Sequence, residues 1–301
     1  MGWVECVPNF SEGRDVSVID AIADAISTVP HSHLLDIHRD TSHHRSVFTI
    51  AGEHRSVLEA VFQAARVAVT RIDLTRHSGE HPRIGATDVV PFVPLANTTM
   101  KDCVALASAL GDRLARELGV PVFLYGQAAT TAGRNVPHAF RRGGFEQLVS
   151  TIGATPATTP DYGGPRVHPT AGATAVGART FLVAFNVFLD TNDAGVARDV
   201  AGRIRTPAGG LPDLQAKGFH VAGRAQVSMN LLDPVTTTPV AVFETVQREA
   251  ERVGVAVSHS EFVGLVPEAA VDGVDGSALR LRTRLADHLL EPKIRDVGGR
   301  V

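Results

Sequence analysis

Cysteine, tryptophan and tyrosine are scarce in this chain, whose 301 residues hold two, one and two of them. Cys6 and Cys103 lie far apart in unrelated contexts. That excludes a disulfide-stapled scaffold and makes a reduced, cytoplasmic protein the expectation. One Trp and two Tyr beside thirteen Phe are a thin stock of rings for stacking on nucleic-acid bases. An excess of either charge is also lacking. Lys and Arg number 29 against 32 Asp and Glu, with a net charge of −3 and a pI near 6.5, so neither a nucleic acid nor a membrane surface is implied as a partner. Long hydrophobic runs are missing. FLVAFNVFL (181–189), among the longest, has strand length and falls well short of the ~20 residues that cross a bilayer. The chain opens MGWVECVPNF, with no basic segment before an apolar one, which speaks against secretion. What is present is 44% hydrophobic and 20% charged, ordinary globular composition with length for one large domain or two.

Hydrophobic periodicity gives the order of elements. WVECVPNF (3–10) reads as a strand, and Val18, Ile19, Ile22, Ala25 and Ile26 then recur at the spacing of one buried helix face. HLLDIHR (33–39) and RSVFTIAG (45–52) read as two strands, a helix follows from about Arg55 to Ile72, and DVVPFVPL (88–95) is a strand again. This βαββαβ order is the ferredoxin-like unit. A helix over about 102–118 and a strand VPVFLYG (120–126) extend it. Residues 150–177, rich in Gly, Pro and Thr, read as a linker and loop. The order then recurs: FLVAFNVFL as a strand, 193–205 as a helix, KGFHVAG and AQVSMNLLD as two strands, 239–254 as a helix and 255–264 as a strand. The expected fold class is α/β (α+β), with two ferredoxin-like subdomains of mixed, helix-covered sheets over residues 1–177 and 178–301. The Gly- and Pro-rich loop closes the first subdomain, and a ligand cleft is expected between the two. Loops 73–87 and 160–177 are the expected carriers of function.

Eight of the thirteen histidines fall between residues 31 and 81, and RHSGEHPRIGATD (76–88) places His77 and His81 four apart. Three readings of this loop stand side by side. A metalloprotease-type zinc pair needs both histidines on one helical face with Glu after the first; here Gly79 and Pro82 interrupt the helix and Glu80 precedes the second histidine. A solvated loop with surface histidines is the bland reading. The crowding of Gly79, His81, Pro82, Arg83 and Gly85 instead suits a shaped turn that aims a side chain. In the catalytic reading a neutral imidazole takes and returns a proton, Glu80 or Asp88 orients it, and Arg45 and Arg83 bind carboxylates. GGPRVHPTAGATAVG has neither phosphate-loop spacing.

VECVPNFSEGR, RHSGEHPRIGATDVVPFVPL, VPVFLYGQAA, GPRVHPTAGATAVGARTFLVAFNV, AQVSMNLLD and VGLVP occur in that order over about residues 3–267. Together they resemble the formiminotransferase family, the folate-dependent glutamate formimidoyltransferases that are fused to a cyclodeaminase in animals. The tail beyond is too short for a cyclodeaminase domain, so only the transferase half is expected. The resemblance implies two α/β subdomains with folate in the cleft between them, a homodimer, and a cytoplasmic enzyme of one-carbon metabolism and histidine catabolism. The implied reaction transfers the formimino group of N-formimino-L-glutamate to N5 of tetrahydrofolate, a co-substrate, with no metal.

The family's catalytic histidine lies inside Gly-Glu-His-Pro-Arg, which makes His81 the implied general base. The family's folate-binding loop follows Pro160-Asp161-Tyr162-Gly163, and so is implied here to use Asp161, Gly163, Gly164, Pro165, Arg166, Val167, His168, Pro169, Thr170, Ala171 and Gly172. Candidates to hold the substrates are His38, Asp40, Arg45, Glu80 and Arg83. The chain departs from the family in LLDIHRDTSHHRSVFT: His38 stands where an aspartate is expected, and His44 where Asn is common. Asp40 lies two residues along, on the same strand face as His38. The alternatives are a folate-binding paralogue acting on a related unit, such as the formyl group of 5-formyltetrahydrofolate, and a non-catalytic folate-binding module.

Overall fold

The computed structural model describes residues 2–80 and 82–299, with the backbone alone at 138, 139 and 207. The chain forms two compact units, one of residues 1–179 with 294–301 and one of residues 180–293.

In the first unit, β1 (Trp3–Cys6) and β2 (Asn9–Phe10) are one strand interrupted at Val7-Pro8. They lead to α1 (Val16–Ser27), β3 (Ser32–Asp40), β4 (Arg45–Glu53), α2 (His54–Arg71) and β5 (Thr87–Pro94). β4 and β5 flank β1 and β2 antiparallel, and β3 pairs with the outer edge of β4. This is the ferredoxin-like order that the periodicity predicts. α3 (Met100–Leu118) starts at a capping box between Thr99 and Asp102. β6 (Val122–Gly126), α4 (His138–Arg141), α5 (Gly144–Thr151) and β7 (Thr174–Ala178) complete the unit. β7 inserts between β5 and β6, parallel to both.

β7 corrects the reading of 150–177 as linker and loop throughout. TAVGA is only five residues long, has no aromatic residue, and alternates Thr174 and Val176 with Ala and Gly, a weak strand signal. A Cβ on Gly177 would meet the Tyr125 ring at 2.6 Å. α5 likewise reaches Thr151 at the start of that stretch.

The pleat sorts this sheet into two faces. Phe10, Phe48, Ile50, Val90, Phe92 and Leu124 point into the core under α1, α2 and α3. Alternate residues point the other way. There Phe123, Tyr125, Val89 and Ala175 pack with Phe140 of α4 and Leu148 of α5. On the same face, the register aligns Asp36 with Thr49, His38 with Val47 and Asp40 with Arg45. One half of this second face is therefore apolar, and the half carried by β3 and β4 is polar.

The second unit runs β8 (Val183–Leu189), α6 (Ala194–Ile204), β9 (Leu214–Val221), β10 (Arg224–Leu231), α7 (Pro239–Glu251) and β11 (Val257–Val263), with strand order β11-β8-β10-β9, all antiparallel. It repeats the βαββαβ pattern. Phe185, Val187, Val200, Phe243, Val246 and Phe262 form its own core. Gly218 allows α6 to lie directly on β9, since a Cβ there would fall 2.2 Å from the Arg198 amide nitrogen. A final helix, α8 (Leu290–Asp296), precedes the C-terminus.

Candidate functional site

The turn between β3 and β4 and the loop after α2 are tied together by histidines. His44 sits in the left-handed region, with φ 51°, and its ring stacks on that of His77 at 4.1 Å between centroids and 8° between planes. Its Nδ1 lies 3.0 Å from the Ser78 carbonyl and its Nε2 3.0 Å from Glu12 Oε1. Both neighbours are acceptors, so each ring nitrogen of His44 is turned towards an oxygen that can take a hydrogen bond. Burial tends to raise the Glu12 carboxyl, but the Asp15 and Arg14 amides and His44 outweigh it and hold Glu12 below its usual range. His77 is a different case. Its Nε2–H donates to the His44 carbonyl at 2.9 Å, and its Nδ1 accepts from Arg83 Nε at 2.9 Å. Burial first, and the nearby His44 and Arg83 charges, press its pKa down to about 4. It is a neutral ring.

Arg83, a candidate to hold a substrate carboxylate, is already occupied. Besides His77, its guanidinium donates to both oxygens of Glu146 on α5, at 2.9 and 2.7 Å, and to the His77 carbonyl at 3.1 Å. The Glu80 amide donates to the Ser42 carbonyl at 3.3 Å, and its side chain is exposed. His81 itself lies outside the described residues.

The segment just beyond it is clamped. Arg141 Nη2 donates to the Pro82 carbonyl at 2.8 Å and to Asp88 Oδ2, while Asp88 Oδ1 accepts from the Ile84 amide at 2.8 Å. Asp88 is almost wholly buried. The Nε of Arg141 is also buried, with no partner among the described residues, a state that costs about 1–3 kcal/mol for a protein donor. Close by, Asp40 Oδ1 accepts from the Ser42 and His43 amides, each at 2.7 Å. The pKa of Arg45 is pressed down to about 10, by burial first and then by the charge of Arg141, with Asp88 and Asp40 opposing. His38 stands half-buried on β3, two residues from Asp40 on the same face.

The second loop joins this one directly. Gly85 and Gly172 form a β-bridge, the Ala86 amide donates to the Ala171 carbonyl at 2.9 Å, and the Leu74 amide to Thr170 at 2.8 Å. Gly172 has φ 70°, and a Cβ there would lie 2.0 Å from the Ile84 carbonyl oxygen, so only glycine permits this seam. His168 closes the turn: its Nδ1 accepts from the Ala171 amide at 3.0 Å. Burial lowers its pKa, so the ring is a neutral tautomer with Nε2–H to offer.

The remaining loop residues divide by environment. Gly163, Gly164, Pro165, Arg166 and Pro169 are exposed, Val167 and Thr170 are half-buried, and Ala171 is buried. Asp161 faces inward. It accepts from the Leu124 amide at 2.7 Å, from Thr130 and from Arg134 at 2.6 Å. Arg134 is wholly buried, lies over Phe123 with 5.2 Å to the ring centroid, and donates to the carbonyls of Pro156, Ala157 and Thr159. Arg134 and Arg141 stand in no motif that the sequence reading singled out. Each lies in a polar stretch whose role is set by partners distant along the chain. Among the described residues, no group of three or more His, Cys, Asp or Glu could hold a metal ion, and no helix is long and apolar enough to cross a membrane.

Comparison with known proteins shows what the chain as a whole is similar to. The model of the formiminotransferase domain's N-terminal subdomain matches residues 3–179, and that of the formiminotransferase domain matches residues 184–275. A glutamate formimidoyltransferase of Streptococcus pyogenes serotype M1 is 45% identical over 270 residues, 89% of this chain and 90% of that protein. One from Thermoplasma acidophilum is 42% identical over 298 residues, 98% of each chain. The formimidoyltransferase-cyclodeaminase of Sus scrofa is 46% identical over 275 residues, and the match takes in 51% of that longer protein.

Proposed function

The chain belongs to the formiminotransferase family and is a folate-dependent formimidoyltransferase, in which we propose that His81 is the general base. The formimino group of N-formimino-L-glutamate passes to N5 of tetrahydrofolate, leaving 5-formiminotetrahydrofolate and glutamate. The observation that supports this siting is the Gly85–Gly172 bridge. It brings the end of the Gly-Glu-His-Pro-Arg loop against the end of the loop that matches the family's folate-binding element.

The second loop suits a folate. Its rim is exposed at Gly163, Gly164 and Arg166, a cation for a glutamate tail. Gly164 has open space where a side chain would be, and neutral His168 offers its Nε2–H. In the transfer, a bond forms between N5 and the formimino carbon, and the bond from that carbon to the glutamate nitrogen breaks. His81 takes the proton that N5 loses and returns it to the departing nitrogen. Asp40 supplies the carboxylate facing the cationic formimino group, the role that the family's aspartate would have at position 38. Holding the two substrates in contact lowers much of the remaining barrier. We place the enzyme in the cytoplasm as a homodimer without a metal, acting in one-carbon metabolism and histidine catabolism.

The test is formimino transfer to tetrahydrofolate by the wild type and by His81→Ala. Turnover that drops by ~10²-fold or more in the variant is the expected result. Equal rates in the two proteins would remove His81 from the chemistry.

A further inference from the structure

We propose that Arg141 binds the α-carboxylate of the formimino donor. This rests on the transferase reading above and names a residue that reading leaves out. The arginines near the loop differ in what they have to offer. Arg83 has its fork on Glu146 and its Nε on His77. Arg166 is exposed on the folate-side loop. Arg45 is half-buried, with the charges of Asp40 and Asp88 beside it. Arg141 alone of these combines a fixed position with an unused donor group. Both N–H bonds of its Nη2 are taken, by the Pro82 carbonyl and Asp88 Oδ2. Its Nη1, with two more, makes no hydrogen bond to any described residue, and its side chain is 17% exposed.

Charge points the same way. Arg45 and Arg141 are close enough that the second lowers the pKa of the first. Asp88 is already committed to Arg141 and the Ile84 amide, and Asp40 to two turn amides. A further anion at Nη1 would relieve the repulsion between the two guanidinium groups. The chemistry of the donor decides which carboxylate it is. The α-carboxylate is attached to the carbon that bears the reacting nitrogen, whereas the γ-carboxylate is two carbons further out. Arg141 is held against Pro82, the residue that follows the proposed base in the chain. A group fixed there addresses the carboxylate nearest the reacting nitrogen.

The test is a cycle of two enzymes and two donors. Transfer to tetrahydrofolate is measured as kcat/KM for N-formimino-L-glutamate and for N-formimino-4-aminobutanoate, which lacks only the α-carboxylate. The wild type should prefer the first by about 10–100-fold, the worth of a hydrogen bond to a charged group. In Arg141→Gln that preference should fall to within about threefold, while Arg141→Lys keeps part of it. Asp88→Asn loosens the same clamp without removing the contact, so it should slow both donors equally and leave the preference intact. If Arg141→Gln slows both donors by the same factor, Arg141 only holds the loop and the proposal fails. Absence of wild-type transfer from formiminoglutamate would overturn the transferase reading as well, an outcome distinct from additive losses.

Discussion

At the scale of single residues, two stacked imidazoles differ in the hydrogen-bond partners that surround them. His44 faces two acceptors, whereas His77 faces one donor and one acceptor. For His77 this gives a pH dependence of stability. Its pKa is about 4 in the folded protein against 6.5 unfolded, so between those values the unfolded chain binds a proton that the folded one refuses. Stability from this site is complete above pH 6.5, falls as the pH drops, and has lost at most about 3 kcal/mol by pH 4. His77→Gln, which keeps a donor and an acceptor but does not titrate, should lose about 2 kcal/mol less than the wild type between pH 7 and 4.5. Urea melts at the two pH values measure it. His259, also pressed to about 4 by burial, titrates alike in both proteins and cancels. A second expectation concerns Asp40. Asp40→Asn should slow formimino transfer by ~10-fold or more with little change in melting temperature, if its charge faces the cationic group. Undiminished kcat would take Asp40 out of that role. The sequence made these residues candidates through composition and resemblance. Arg141 and Arg134 escaped because what marks them is burial against distant carbonyls and carboxylates, and spacing along the chain does not encode that.

At the scale of elements, the periodic ones were legible and the aperiodic ones were not. α1, α2 and α7 each show the 3.6-residue repeat of a helix with one buried face, and β4 and β8 stand out as runs rich in branched and aromatic residues. β7 does neither, because it has only five residues, all of them buried and none aromatic. The loop seam was invisible for a related reason: each glycine looks like a generic loop residue until Gly85 and Gly172 are found paired. Gly172→Ala tests the seam. The new methyl would strike the Ile84 carbonyl at φ 70°, which no L side chain adopts without strain. The variant should remain folded by circular dichroism while its KM for tetrahydrofolate rises ~10-fold or more; an unchanged KM would detach the seam from folate binding. The Arg134–Asp161 clamp works on the other end of the same loop. Arg134→Met leaves Asp161 a nearly buried carboxylate without its cation, a lesion worth about 3–5 kcal/mol. Denaturant titration should show a loss of that size. A cost below ~1 kcal/mol would mean that the loop can reorganise around Asp161.

At the scale of the whole molecule, the same βαββαβ pattern is used twice, and each copy has its own core. The repeat was readable because hydrophobic period and strand order recur on the two sides of the Gly- and Pro-rich stretch. The additions to the first copy, α3 to β7, were only partly readable, because parallel insertion of β7 between β5 and β6 brings together segments far apart in the chain. Separate cores have an energetic consequence, since a cavity destabilises the cooperative unit whose packing it interrupts. Phe243 of α7 is 3% exposed within the second core, and Phe243→Ala should cost that core about 3–5 kcal/mol. Native-state hydrogen exchange would then show faster opening for amides of β8, β10 and α7, with those of β1, β4 and β5 keeping wild-type protection. Acceleration spread evenly over both sets would mean that the two cores unfold as one cooperative unit, and that the repeated pattern divides the chain in packing but not in stability.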